Sequence, residues 1–349
     1  MELSMAIQTV IQPPRKRSLL RFVIWSFVIL MIIVATSLIF IIDTKTSTFT
    51  NNTTETAVVT ALPPLPLGVD PRNKEIVENP DVDAYMNAFV ASNHTKPEMG
   101  DSWYERALAR LSELDWYQNL ATPATRILII QSGERHEEVL KNFSRILRWD
   151  DAEKAAFTKR LLDEVPSAMD GKLYPGRYIV PTGAGGEEVA LAVADRFNAE
   201  VRSRYSDDVA KQLPLKDALI VASLIEREAY DFNDMRYISG VIWNRLFIDM
   251  KLQIDATLQY ARGPQSAAAG GRFWPVPTPQ DKFIKSPFNT YQNKGLPPEP
   301  IANPSIDAIV AALNPRETDC LFYYHTNDGT FYCNATYEDH VAGIKKHLK

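Results

Sequence analysis

Glu226, Arg227 and Glu228 close an apolar run that reads DALIVASLIEREAY. A carboxylate at the end of a buried helix is costly unless it is paired or functional. Burial disfavours its charged form and raises its pKa. A glutamate held protonated near neutral pH is what a general acid needs to cleave an acetal. If the helix runs from Leu215 to Tyr230, the two glutamates point about 200° apart. Glu228 then shares a face with Leu224 and Val221, and Glu226 shares one with Ala222 and Leu219. Both faces are apolar, so periodicity does not choose the acid. The commoner role of Glu-Arg-Glu at a helix end is an exposed terminus with local ion pairs, and these residues alone leave that open.

Few other residues compete. Asn244-Arg245 fits a polar pair at a helix C-terminus, Asp255 fits a turn, and His325 and His340 fit structural positions. Trp274 and Tyr291 fit either core packing or a ring-stacking surface. There is no glycine-rich phosphate loop and no Gly-x-Ser-x-Gly elbow. No Cys/His cluster has metal-ligand spacing, so no structural zinc is expected. The two cysteines, Cys320 and Cys333, flank LFYYHTNDGTFY, which reads as a hairpin turning at Asp328-Gly329. With Cys333 opposite Tyr324, Cys320 would lie roughly 13 Å along the strand, so no disulfide is expected.

The elements that must hold these residues are mixed, and the fold class expected is α+β. Arg126 to Ile130 reads as a strand, and helices follow over about Arg135 to Leu147 and Ala152 to Glu164. KLYPGRYIV reads as extended. Helices are expected over Glu187 to Tyr205, Leu215 to Tyr230 and Met235 to Phe247. LQIDATLQY reads as strand or extended loop. Gly263 to Pro304, dense in Gly and Pro, reads as a long binding loop. The hairpin and a helix from about Thr336 end the chain.

Upstream, Phe22 to Ile42 is apolar and carries no charge. At about 1.5 Å per residue it reaches roughly 30 Å, enough to cross a bilayer core. Arg15, Lys16, Arg17 and Arg21 precede it, which places the N-terminus in the cytoplasm and the bulk of the chain outside. The run is longer than the apolar region of a cleaved signal peptide. The residues before it carry +3 and the remainder −8 of the net −5, so nothing marks a nucleic-acid-binding surface. Residues 43–82 hold a polar Thr/Asn/Pro tether. About Val82 to Leu120 has a helical pattern with no assigned role.

The pieces ASLIERE, VIWNRL, MKLQIDATLQY, FNTY, GLPPEPIANP, LFYYHTNDGTFY and TYEDH are each weak signals. Their order and spacing resemble the endolytic murein transglycosylase family, also called YceG-like, from about Arg126 to the C-terminus. The resemblance implies a small LysM-like α/β lobe at 126–180 and a helix-rich catalytic domain with a C-terminal β-hairpin at 181–349. These would follow a tail at 1–21, a transmembrane helix at 22–42, a linker at 43–82 and a segment at 83–125. It implies Glu228 as the catalytic acid, with Glu226, Asn244, Arg245, Gln253, Asp255, Asn289 and Tyr291 on motif positions lining the substrate cleft. It implies peptidoglycan glycan strands as substrate, peptidoglycan synthases as neighbours, no cofactor and an inner-membrane location. The reaction implied is lytic cleavage of the MurNAc-GlcNAc bond, against a hydrolytic muramidase or a wall-binding scaffold without activity. The chain departs from the family pattern at Ala256, where proline is usual, at Tyr260-Ala261, where Tyr-Gly is usual, and at Pro175-Gly176-Arg177-Tyr178, where Pro-Asp-Thr-Tyr is usual.

Overall fold

The computed structural model describes residues 64–80, 82, 84–86, 125–164 and 169–348, all within one compact unit. The expected tail and membrane span, and most of the linker and of segment 83–125, lie outside these residues. No helix among the described residues is long and apolar enough to cross a membrane.

The first described element is a short antiparallel pair, β1 (Val69–Asp70) and β2 (Glu75–Ile76). The Asp70 side chain closes its turn by accepting from the Arg72 and Asn73 amides. Next come β3 (Thr125–Ile130), α1 (His136–Leu147), α2 (Asp151–Glu164) and β4 (Gly176–Pro181). β3 and β4 pair antiparallel, with Leu128 opposite Tyr178. α1 opens where Glu138 reaches back to the Arg135 amide, and it buries Val139, Phe143 and Leu147, spaced by four. α3 (Gly186–Glu200) then packs on α2. A Cβ on Gly186 would stand 2.0 Å from the Glu153 carbonyl oxygen, so only glycine permits this approach. Val189 and Val193 of α3 share a core with Leu128, Ile130, Phe143 and Phe157. The core of the lobe therefore includes α3, past the boundary expected at 181.

The larger core is built on α4 (Asp207–Gln212), α5 (Leu215–Glu226), α6 (Phe232–Phe247), α7 (Asp255–Ala268) and α8 (Ile306–Leu313). Hairpin β5 (Phe322–His325) and β6 (Phe331–Asn334) and helix α9 (Tyr337–His347) finish it. Every residue of α5 from Ala218 to Ile225 is buried, against α8 and α6, as its all-round apolar pattern requires. Leu65, Val69, Val82 and Met86 join this core. The Gly68 amide donates to the Leu313 carbonyl. The end of the stretch expected as linker is thus built into the fold.

Four other expectations are corrected. α5 stops at Glu226 rather than Tyr230: the Arg227 and Glu228 amides turn back three residues, to Leu224 and Ile225, and end the helix. LQIDATLQY is irregular through Ile254, with Gln253 left-handed, and then starts α7. The expected 263–304 loop is shorter, since α7 continues to Ala268 through Pro264 and a 3₁₀ turn covers Pro279–Phe283. Pro264 cannot bond the Tyr260 carbonyl four residues back. Arg135 Nη1 takes that acceptor at 2.8 Å instead.

The fourth correction is the disulfide, which forms between Cys320 and Cys333 with the Cα atoms 5.7 Å apart. Cys333 pairs with Tyr323, one residue from the expected register, and β5 begins only at Phe322. Before it the chain is bent by Asn244, whose side-chain amide donates to the Thr318 and Cys320 carbonyls. Extrapolating a straight strand back to Cys320 gave the wrong distance.

Candidate active site

Glu226 is the last residue of α5, and its carboxylate meets the start of α8. Ser305, the N-cap of α8, donates to Glu226 Oε2 from its hydroxyl at 2.6 Å and its amide at 2.9 Å. A carboxylate at a helix N-terminus is electrostatically favoured. Burial nonetheless pushes the Glu226 pKa up to about 7, with the Ser305 bonds opposing the rise.

Glu228 lies one tight turn further on, outside the helix, so the helical angle between the two glutamates no longer applies. Tyr323 of β5 donates its hydroxyl to Glu228 Oε2 at 3.0 Å. Burial pushes this pKa up to about 7 as well, and the Asp255 charge adds to the rise. Tyr323 and the Ala256 amide favour the ionised form and oppose it. Position 256, where the family pattern has proline, thus supplies an amide donor that proline lacks. Both glutamates are half-buried: crowded by protein yet open on one side.

Asp255 is the first residue of α7, and it accepts the Tyr291 hydroxyl at 2.7 Å. Burial and the charges of Asp255 and Glu228 raise the Tyr291 pKa. Burial, with Glu228, also keeps the Tyr323 phenol protonated as a donor. Glu228, Asp255, Tyr291 and Tyr323 therefore form one neighbourhood of carboxylates and phenols. It can hold a proton near neutral pH on one carboxylate while the exposed Asp255 stays at its mouth.

The other residues expected in the cleft do different work. Asn244 and the buried Arg245 brace the base of the hairpin, Arg245 through the Leu321 carbonyl at 2.6 Å and the Leu252 carbonyl. Asn289 is fully buried and donates to the Lys282 and Ile284 carbonyls, which shapes the loop that carries Tyr291. Gln253 is exposed, at φ 51°, with its amide on the Thr290 carbonyl. Trp274 donates to Glu138 at 2.9 Å, and the Arg227 guanidinium covers its ring at 3.9 Å.

Tyr323 and Ser305 were missed from sequence. The signal for Ser305 was its place as an N-cap before the apolar run IDAIVAAL. Nothing local singled out Tyr323 among the four aromatic residues of FYYH.

The lobe and the larger core meet beside this site. The buried Asn303 side chain accepts from the Gly171 and Leu173 amides at 2.9 and 3.0 Å and donates to the Glu134 carbonyl at 2.9 Å. Gly171 has φ +87°, and an added Cβ would meet Pro300 at 2.7 Å. Asp170 accepts from the His136 amide, His136 Nδ1 and the Tyr260 hydroxyl. His136, Glu137 and Asp170 bring possible metal ligands within 4.8 Å of one another. Each is already engaged, Glu137 by Arg135 in two bonds, so the cluster serves as the seam.

A family model described as the YceG-like family matches residues 72–346. An endolytic murein transglycosylase of Bacillus subtilis (strain 168) is 32% identical over 181 residues, which is 52% of this chain and 48% of that protein. One of Streptococcus pneumoniae serotype 2 (strain D39) is 30% identical over 183 residues, 52% of this chain and 32% of the relative. The chain matches at most about half the length of these curated relatives. A crystal structure of a YceG-like protein from Listeria monocytogenes aligns with a TM-score of 0.55 at 28% identity, covering 62% of this chain and 75% of that one.

Proposed function

The chain belongs to the YceG-like family, and from that premise we propose that it is a membrane-anchored lytic transglycosylase that cuts peptidoglycan glycan strands internally. The observation that carries this reading is Glu228: a half-buried carboxylate, with a pKa near 7, held by Tyr323 beside Asp255. Protonated, it gives its proton to the glycosidic oxygen between MurNAc and GlcNAc. As positive charge develops on MurNAc, the same carboxylate takes the proton of that sugar's 6-hydroxyl. The freed oxygen closes onto C1 and leaves a 1,6-anhydroMurNAc end. No activated water is required, so one carboxylate suffices where ordinary glycosidases use two.

The naming of the curated relatives supports this chemistry, and the apolar run at 22–42 supports the anchor, with the N-terminus in the cytoplasm and the site outside. The β-α-α-β lobe is the LysM-like element that contacts glycan. Peptidoglycan synthases are the neighbours this placement suggests.

One observation favours a hydrolytic muramidase instead. Asp255 is a second carboxylate, exposed and close enough to raise the Glu228 pKa, and it could position a water. Digestion of purified peptidoglycan by the full chain, read by mass spectrometry, separates the readings. Fragments ending in anhydroMurNAc are expected, and E228Q should lower their rate by 10²-fold or more, the usual contribution of a general acid. Reducing ends would replace the lytic step by hydrolysis. Full activity in E228Q would remove Glu228 from the chemistry.

A further inference from the structure

A second cavity of about 510 Å³ opens between the start of α6 and the tip of the hairpin, lined by Tyr230, Asp231, Asp234, Tyr237, Thr330 and Phe331 among others. Its walls are aromatic. Phe331 stacks on Tyr237 at 5.7 Å between ring centroids, and Tyr230 stands edge-on to His325 at 4.6 Å. Tyr230 is 64% exposed. Phe331 also stacks on Tyr323 at 6.1 Å, and Tyr323 holds Glu228. The cavity thus abuts the proposed acid across two rings.

Its charged groups are acidic. Asp231 is exposed and caps α6 by accepting from the Asp234 amide at 2.8 Å. Asp234 is 5% exposed. Its Oδ2 accepts from the Tyr230 amide and meets His325 Nε2, each at 2.8 Å, while its Oδ1 has no partner among the described residues. A buried carboxylate oxygen without a donor is costly. No lysine or arginine lines the cavity. The nearest guanidinium in hydrogen-bond contact with its rim is Arg316, on Asn233. Aromatic faces with two carboxylates and no lining cation select a positively charged group. A neutral sugar would leave the charges unmatched, and an anion would be repelled.

We propose that this cavity binds a primary ammonium group, carried on the peptide branches of the glycan. The peptide part rests on the function proposed above, whereas the ammonium part rests on the cavity alone. Binding there would hold the branched strand beside Glu228, so it should appear in KM rather than in kcat.

Two measurements on the full chain in detergent test it. In the first, the probe is Nα-acetyl-lysine methylamide, whose only charge is its ammonium group. It should shift the Gly329 and Thr330 amide resonances, and its Nε-acetylated form should not. Y230A, a change at an exposed ring, and D234N should each weaken binding at least fivefold. In the second, peptidoglycan with free amines is compared with the same material after amine acetylation. Acetylation should raise KM about tenfold for the wild type and leave Y230A unchanged. Probe binding without cleavage of either glycan would keep the ammonium site and discard the transglycosylase reading. Equal shifts with both probes, or no shifts together with equal KM on both glycans, would overturn the site.

Discussion

Tyr323 carries the most consequence for a single side chain. Its hydroxyl donates to the Glu228 carboxylate and favours the charged form. Removing it in Y323F should raise the Glu228 pKa further. A free enzyme that needs a protonated acid loses kcat/KM as pH rises through that pKa, near 7 in the wild type. The falling limb of the pH profile should therefore move to higher pH in Y323F. At fixed pH, kcat should drop about tenfold, as expected for one hydrogen bond of about 1.5 kcal/mol to a charged group. A limb that stays in place would mean that another group titrates. Glu228, the proposed acid, could be singled out in the sequence only through the family's motif order. Its partner could not, because the bond joins residues 95 positions apart. Of the other residues expected in the cleft, Asp255 and Tyr291 stand with Glu228, while Asn244, Arg245 and Asn289 spend their donors on carbonyls that shape the walls. Sequence alone does not say whether an amide faces a ligand or a loop.

The hairpin is the element that turns a helix end into a site. It brings Tyr323 to Glu228 and Phe331 to α6, and the Cys320–Cys333 bond ties its base. A loop of this length gains about 3 kcal/mol from closure. The C320S/C333S double variant, or the reduced protein, should lose about that much stability in urea unfolding. It should also lose activity before it unfolds, as Tyr323 is freed. Unchanged unfolding would show that Asn244 and Arg245 alone hold the hairpin. The strand pair and its Asp328-Gly329 turn were readable from alternation and turn chemistry. The disulfide was not, since it depends on the bend that Asn244 imposes before β5 begins. Likewise α7 was hidden, because Pro264 breaks the usual pattern and only Arg135, from the lobe, satisfies the carbonyl it frees.

At the scale of the whole molecule, the seam between lobe and larger core depends on Asn303. Three of its bonds reach backbone groups of the lobe. N303A would leave the buried Gly171 and Leu173 amides without this acceptor, while the Glu134 carbonyl keeps the Asn303 backbone amide, and should cost about 3 kcal/mol. Limited proteolysis should then cut at the seam before either part is digested. Protection equal to wild type would mean that Asp170, Tyr260 and Arg135 suffice. The α+β class and the order β3, α1, α2, β4 were legible in the sequence. Where the lobe ends and which upstream residues join the core were not, since Gly186 and Leu65 act through contacts far along the chain.

Asn303 also sets an order of events. It binds residues 130 to 169 positions earlier in the chain. A chain made from its N-terminus presents the lobe's seam long before it presents Asn303, and until then the Gly171 and Leu173 amides can pair only with water. If the chain is threaded outward across a membrane, the lobe reaches the far side with this face still open. The acid, the hairpin and the seam then close together, in the final stretch of export. The proposed cutting machinery is therefore assembled only once nearly the whole chain has arrived where its substrate is.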